Sequence, residues 1–185
     1  MQPGFLPLSL VARLGKQVRR EVESGVLRAA CIGAGANKRY APEIRSDHIR
    51  WLDPAAPTPA EAELHSRLDR LRSEINRRAQ LGLFDWEGHV ASYPPGAFYQ
   101  RHLDVFRHAR ERVASTVLYL NPNWQPGDGG ELRIYLDGKS LERFVDIPPL
   151  GGTLVTFLSE EVYHAVQPAQ VERSSVTGWF RTRVG

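Results

Sequence analysis

Apolar and polar positions recur at helical spacing in the N-terminal part of the chain and then give way to short runs suited to strands. Leu8, Val11, Ala12, Leu14 and Val18 form one stripe ahead of Gly25, which predicts an amphipathic helix over 8–24. Thr58 followed by Glu61 makes a capping-box pattern and Pro59 suits a first helical turn. Leu64, Leu68, Leu71 and Ile75 then continue as a stripe, so a second helix is expected to end near Gly82. Beyond it, β-type runs are expected at 90–93, 98–104, 113–121, 131–136, 153–158 and 174–181. Turn signals separate them: Pro94-Pro95-Gly96, Asn121-Pro122-Asn123, Gly127-Asp128-Gly129-Gly130, and Pro148-Pro149 with Gly151-Gly152.

Helices followed by many short strands predict an α+β fold, with the helices covering one face of a mostly antiparallel barrel. A double-stranded β-helix, or jelly-roll barrel, flanked by N-terminal helices is the specific expectation. A length of 185 residues with 42% hydrophobic content fits a single domain over 1–185. In this division 1–85 supplies helical support and a substrate loop, and 86–185 the barrel core. The Pro-rich stretch 53–60 reads as a structural linker, and no internal repeat is evident.

Composition narrows the function only slightly. A formal charge of +3 is a small surplus rather than a basic block, so nucleic acid is an unfavoured partner. Only Lys16, Lys38 and Lys139 are lysines, and the remaining positive charge is arginine, which suits planar, bidentate partners. The lone Cys31 cannot form an intramolecular disulfide, which favours a reducing compartment and an inert thiol. No apolar run approaches the roughly 18 residues of a membrane span, so no membrane partner and a cytoplasmic location are expected.

The chemistry concentrates late in the chain. His102-Leu103-Asp104 falls in an expected strand, where residues two apart point to one face and can share an ion. Two histidines and a carboxylate on one side of a metal leave the opposite positions open, which is the arrangement of the non-haem iron(II) oxygenases. His164, just beyond the apolar run 153–158, is the best candidate for the third ligand. Arg173 begins the last expected strand, nine residues later, where its guanidinium could grip a distal carboxylate through paired hydrogen bonds. Tyr119 could add a hydroxyl donor. Taken singly, each of these residues is more simply a strand or surface residue, and it is their combination that points to a site. His48, His65, His89 and His108 lack a partnered carboxylate at matching spacing, and Trp51, Trp86 and Trp124 read first as packing residues.

The segment 93–181 resembles the prolyl-hydroxylase branch of the iron(II)/2-oxoglutarate oxygenases, of bacterial type and similar to the HIF-type prolyl hydroxylases. The motifs that carry the likeness are Tyr93 to Gly96, His102 to Asp104, Tyr119 to Asn121, Gly129 to Arg133, and His164 to Ala169 followed by Arg173. Upstream, Ile44-Arg45-Ser46-Asp47 with Trp51 extends it to about three quarters of the chain. The resemblance implies that His102, Asp104 and His164 ligate iron(II) and that Arg173 and Tyr119 bind the far carboxylate of 2-oxoglutarate. It also implies that Tyr93, Thr177 and Trp179 line the same pocket. Asp47, Arg112 and Trp51 become substrate residues, with Arg112 pairing with Asp47 or touching substrate and 47–57 forming a mobile closing loop. O2 is the oxidant, ascorbate a candidate reductant, and succinate and CO2 are the co-products.

The implied partner is a protein bearing a target proline. Relatives of this branch act on a transcription-factor proline in animals and on a translation elongation factor in some bacteria. The chain has no long tail or zinc-finger extension and so looks more like the bacterial kind. The basic loop 105–111, with Arg107, His108 and Arg110, keeps substrate identity open. Other readings stay open too: a hydroxylase of a free amino acid or small molecule, or a non-catalytic metal-binding module with a structural metal such as zinc. Nucleic-acid demethylation ranks low, because Ser175 and Trp179 stand at two of that branch's diagnostic positions.

Overall fold

In a computed structural model of the chain, every residue is described except 34, 36–37, 106–110, 139 and 184–185. Arg107, His108 and Arg110 of the basic loop thus lie outside the described residues. The first helix, α1 (Leu8–Glu23), buries Leu10, Val11, Leu14 and Val18, while Leu8 and Ala12 face outward. The expected stripe is therefore shifted on the helix, because positions 10, 14 and 18 stack at four-residue spacing and 8 and 12 do not join them. The second, α2 (Pro59–Ala79), starts with the expected capping box: the Thr58 hydroxyl accepts from the Glu61 N–H and the Glu61 carboxylate accepts from the Thr58 N–H. It ends at Gln80, which takes the left-handed conformation, rather than at Gly82.

The described residues hold twelve strands, the first four between the helices and the rest after α2: β1 (Arg28–Ala29), β2 (Cys31–Ile32), β3 (Arg39–Tyr40), β4 (His48–Trp51), β5 (Asp85–Tyr93), β6 (Tyr99–His102), β7 (Arg112–Tyr119), β8 (Leu132–Tyr135), β9 (Phe144–Ile147), β10 (Leu154–Leu158), β11 (His164–Val166) and β12 (Arg173–Arg181). A six-stranded sheet runs β1-β4-β5-β12-β7-β10, a four-stranded sheet β6-β11-β8-β9, and β2 pairs with β3 alone. All the strand pairings are antiparallel. Two facing antiparallel sheets with helices on the outer side of the larger one make the α+β jelly roll that the sequence pattern predicts. Part of the expected closing loop 47–57 is instead the strand β4, hydrogen-bonded to β5 over His48–Trp51.

The large sheet separates two cores. Its outer face meets α1 and α2 through Val90, Ala114, Leu118, Val176 and Phe180 against Leu10, Leu14, Val18, Leu64 and Leu68. Trp86 lies flat on this face over Gly88 and Gly178, where an added Cβ would come within 2.3 Å and 2.2 Å of the indole ring, so any larger residue there would displace it. The inner face meets the small sheet through Ala91, Val117, Tyr119 and Val155 against Leu132 and Val166. Strand alternation sends successive residues of β12 to opposite cores: Val176 and Phe180 outward, Thr177 and Trp179 inward.

Candidate active site

A cavity of about 540 Å³ opens between the sheets and continues to the groove beside β1 and β2. At its inner end the register of β11 against β6 sets His164 directly opposite His102. The chain leaves β6 after His102, so Asp104 reaches the same point through a bend at 103–104 and not through strand alternation. One ligand atom from each of His102, Asp104 and His164 lies within 4.8 Å of the other two. His102 Nε2 is 3.5 Å from Asp104 Oδ1, and His164 Nε2 is 3.6 Å from Oδ2.

Neighbouring groups aim these atoms. The Nδ1 atoms of His102 and His164 lie 2.7 Å and 3.1 Å from the carbonyls of Gln100 and Val162. That contact makes each Nδ1 the protonated nitrogen and leaves each Nε2 lone pair toward the shared point. The Ser115 hydroxyl donates to Asp104 Oδ2 at 2.6 Å and is braced by Ser159 at 2.9 Å. Tyr99 stacks on His102, with centroids 3.6 Å apart and planes 15° apart, and the Arg45 guanidinium covers the other face of Tyr99 at 4.2 Å.

Burial alone would raise the Asp104 carboxyl. The His164 and His102 rings and the Ser115 hydroxyl outweigh it and hold the group ionised, well below the usual carboxylate range. Burial lowers His164 to about 4, with Asp104 opposing, so this imidazole is neutral near pH 7 and free to donate a lone pair. A carboxylate and two imidazole nitrogens on one side of an ion suit a divalent iron-type centre with open positions opposite.

The co-substrate end is built from β12, β7 and β5. Arg173 is only 2% exposed, and its Nε donates to the Gly130 carbonyl at 2.9 Å and its Nη1 to Ser175 Oγ at 3.1 Å. Gly130, at φ 73, sits where an added Cβ would come 2.9 Å from Arg173 Cδ, so the Gly129-Gly130 turn gives the guanidinium its room. Arg173 Nη2 and the Tyr119 hydroxyl are both buried with no hydrogen-bond partner in the protein. Buried donors without partners are costly, and two of them beside one cavity await an acceptor such as a carboxylate. Burial raises the Tyr119 phenol, with Arg173 opposing, so it stays a neutral donor. The guanidinium also lies 4.7 Å from the Tyr93 ring centre.

Of the residues singled out from sequence for metal or co-substrate, His102, Asp104, His164 and Arg173 line this cavity, and Tyr119 is fully buried with its ring centre 5.3 Å from the Arg173 guanidinium. Tyr93, Thr177 and Trp179 also line the cavity, as do Trp51 and Arg112 toward the outside. Asp47 is a different case. It is buried and takes a two-pronged hydrogen bond from Arg45 at 2.8 and 2.6 Å, whereas Arg112 pairs with Glu87 at 2.9 Å and covers the Trp179 ring at 3.7 Å. The Arg112–Asp47 pair, one of the two roles expected for Arg112, is therefore replaced by Arg45–Asp47, since Arg45 on the same short segment satisfies Asp47 locally.

Sequence reasoning missed Arg45 as a cavity residue, Tyr99 as the platform under His102, and Ser115 as the donor to Asp104. It also passed over His89, a buried cavity residue flanked by Trp51 and Trp179 and lowered to about 4 by burial, with Arg45 adding to the effect. The available signal was position parity: His89 pairs with Thr177 on β12 and with Trp51 on β4, which places all three on the inner face.

Residues 88–181 match the family model of the 2OG-Fe(II) oxygenase superfamily. Human "Egl nine homolog 1" is 34% identical over 146 residues, covering 75% of this chain and 33% of that protein. The chain thus spans about a third of the length of the curated relatives it matches. Among solved structures, a Pseudomonas putida prolyl-4-hydroxylase superposes with a TM-score of 0.86 at 46% identity, over 99% of this chain and 91% of that one. A Trichoplax adhaerens prolyl hydroxylase, solved with a peptide fragment of the hypoxia-inducible factor oxygen degradation domain, gives 0.81 at 30% identity, over 97% and 81%.

Proposed function

Because the chain belongs to the 2OG-Fe(II) oxygenase superfamily, we propose that it is an iron(II)- and 2-oxoglutarate-dependent dioxygenase that hydroxylates a prolyl residue of a protein substrate. The observation that carries the reading is the pair of buried, unpartnered donors, Arg173 Nη2 and Tyr119 Oη, with Arg173 lining the same cavity as the His102–Asp104–His164 cluster. A metal with a bidentate 2-oxo acid whose far carboxylate lies against those donors satisfies both at once. The likeness to the P. putida and T. adhaerens prolyl hydroxylases supports the prolyl substrate.

His102, Asp104 and His164 are the metal ligands in this account, and Arg173 with Tyr119 holds 2-oxoglutarate. When bound, iron and co-substrate supply the oxidising chemistry: one atom of O2 enters a C–H bond of the substrate and the other enters succinate, with release of CO2. The chain's own share is position and dryness. Tyr93, Thr177 and Trp179 wall the co-substrate, Tyr99 and Arg45 hold the His102 ring, and Ser115 keeps the Asp104 carboxylate turned to the metal. Substrate enters past Trp51 and Arg112 from the outer groove. Ascorbate is the reductant we propose for restoring iron(II). The cytoplasm is the proposed location; no described helix is long and apolar enough to cross a membrane.

A translation elongation factor is the first partner to test, on the likeness to the bacterial enzymes. The protein, iron(II), 2-oxoglutarate and that factor are incubated in air, with peptide mass spectrometry and a succinate assay as readouts. Gain of one oxygen on a proline, with succinate in equal amount, is the expected result. Hydroxylation of free proline in preference to any peptide would move the substrate to the small-molecule class. Metal binding without any succinate would sink the dioxygenase reading.

A further inference from the structure

The cavity reaches well beyond the space the metal and co-substrate need, and its outer wall has an unbalanced charge. Asp104 is the only carboxylate among its described lining residues, against six guanidinium and ammonium groups. Four of the six have an assigned role. Arg45 pairs with Asp47, Arg50 with Glu21 and Glu61, Arg112 with Glu87, and Arg173 faces the co-substrate end. Arg28 and Lys38 remain, on β1 and beside β3, and neither has a carboxylate partner among the described residues. The one hydrogen bond of the Arg28 side chain goes to the Gly25 carbonyl.

Resting on the prolyl-hydroxylase reading, we propose that Arg28 and Lys38 form a specificity subsite for an acidic residue of the protein substrate, a few residues from the target proline. Apolar Val26, Ile32 and Trp51 line the same groove and give the intervening peptide a surface to lie on. Register fixes where Arg28 stands. Its row of the sheet runs Arg28, Ile49, Ala91, Ser175, Tyr119, so it shares the inner face with the residues of the co-substrate pocket.

The metal cluster leans on β7 through Ser115, four strands from β1. Four strand spacings are roughly 19 Å, Ser115 lies four residues, roughly 13 Å, along β7 from Tyr119 in the row of Arg28, and the arginine side chain shortens the resulting gap of about 23 Å. An extended peptide advancing roughly 3.3 Å per residue then puts the acidic group about four to six residues from the proline. Two exposed cations facing one such group discriminate by long-range attraction against lysine as well as by contact. They are too few to hold a nucleic-acid backbone, which needs a run of phosphate contacts.

The test uses synthetic peptide pools with one central proline and with Asp, Ser or Lys at the flanking positions, incubated with the iron- and 2-oxoglutarate-loaded protein. For wild type, kcat/KM should favour the Asp pool over the Lys pool by on the order of tenfold, about fivefold per cation–acid pair with losses to screening. The preference should shrink as salt is raised, and it should invert in Arg28→Glu/Lys38→Glu while the pool with Ser is turned over as before. If the double variant fails to fold, the salt series on wild type decides. Hydroxylation of all pools alike, or a preference untouched by salt and by charge reversal, overturns the subsite alone. Inhibition of the Ser pool by a single-stranded oligonucleotide, without discrimination among peptides, also overturns it and points to nucleic acid. No hydroxylated proline in any pool overturns the prolyl-hydroxylase reading and the subsite with it.

Discussion

The two faces of the six-stranded sheet are made by the same strands and have opposite chemistry. On the helix side, Val90, Leu118, Val176 and Phe180 pack among leucines of α1 and α2, and the Trp86 Nε1–H donates to the Thr116 hydroxyl, which donates to the Gly178 carbonyl, both at 3.0 Å. On the cavity side, alternate residues of the same strands are Tyr93, Ser115, Tyr119 and Arg173, which are buried and polar, and two of them keep unpartnered donors. A sheet this well clamped on one face can carry unsatisfied groups on the other, and the cost is borne where a ligand can satisfy them. Stability and function should therefore separate by strand parity.

Substitutions on opposite faces test that separation. Phe180→Ala, on the helix face and fully buried, should cost about 3–5 kcal/mol of unfolding free energy, while the folded fraction keeps its 2-oxoglutarate affinity. Denaturant unfolding with parallel ligand titration checks both halves. Arg173→Met, one strand position class away, should do the reverse: 2-oxoglutarate affinity falls by about 2–4 kcal/mol while chemical stability holds or rises, because a buried guanidinium with an unmet donor is removed.

Ser115→Ala should be milder. It removes the 2.6 Å hydrogen bond to Asp104 and should weaken metal binding by about 10–100-fold, with little change in melting temperature once metal is stripped. The last expectation concerns pH dependence. His89 and His164, both on the cavity side, are lowered by burial to about 4 from an ordinary 6.5. Between those values the unfolded chain binds more protons than the folded one, so stability is fully present above pH 6.5 and is lost as pH falls toward 4. Thermal melts of the metal-free protein should follow this slope, and His89→Gln, on the same face, should flatten it.

Parity also explains what could be read from the sequence. The helices and the strands β5, β6, β7, β8, β10 and β12 were legible because a stripe or an alternation needs several residues to show itself, whereas β4 and β9, four residues each, were not read as strands. Strands β1, β2, β3 and β11 hold two or three residues each and exist only through pairing partners far along the chain. His164 could be nominated from its neighbours, yet its position opposite His102 is a property of the β11–β6 register. Asp104 was nominated by spacing within a strand, and the structure brings it to the two histidines by a bend in place of strand alternation. Arg45 and Tyr99 escaped because their contribution is a stack on another ring, which no spacing rule encodes. Of the two roles expected for Arg112, pairing with Asp47 fails because Arg45, two residues from that carboxylate, already satisfies it.

The central claim is that the cavity face is one metal and co-substrate site. Its most direct test is anaerobic addition of iron(II) and 2-oxoglutarate to the metal-free protein, watching for the visible charge-transfer absorption of the chelate. The account predicts the band in wild type, its loss in His164→Ala, and its appearance only at much higher 2-oxoglutarate in Arg173→Met. Absence of the band in wild type, or its persistence unchanged in His164→Ala, would contradict it.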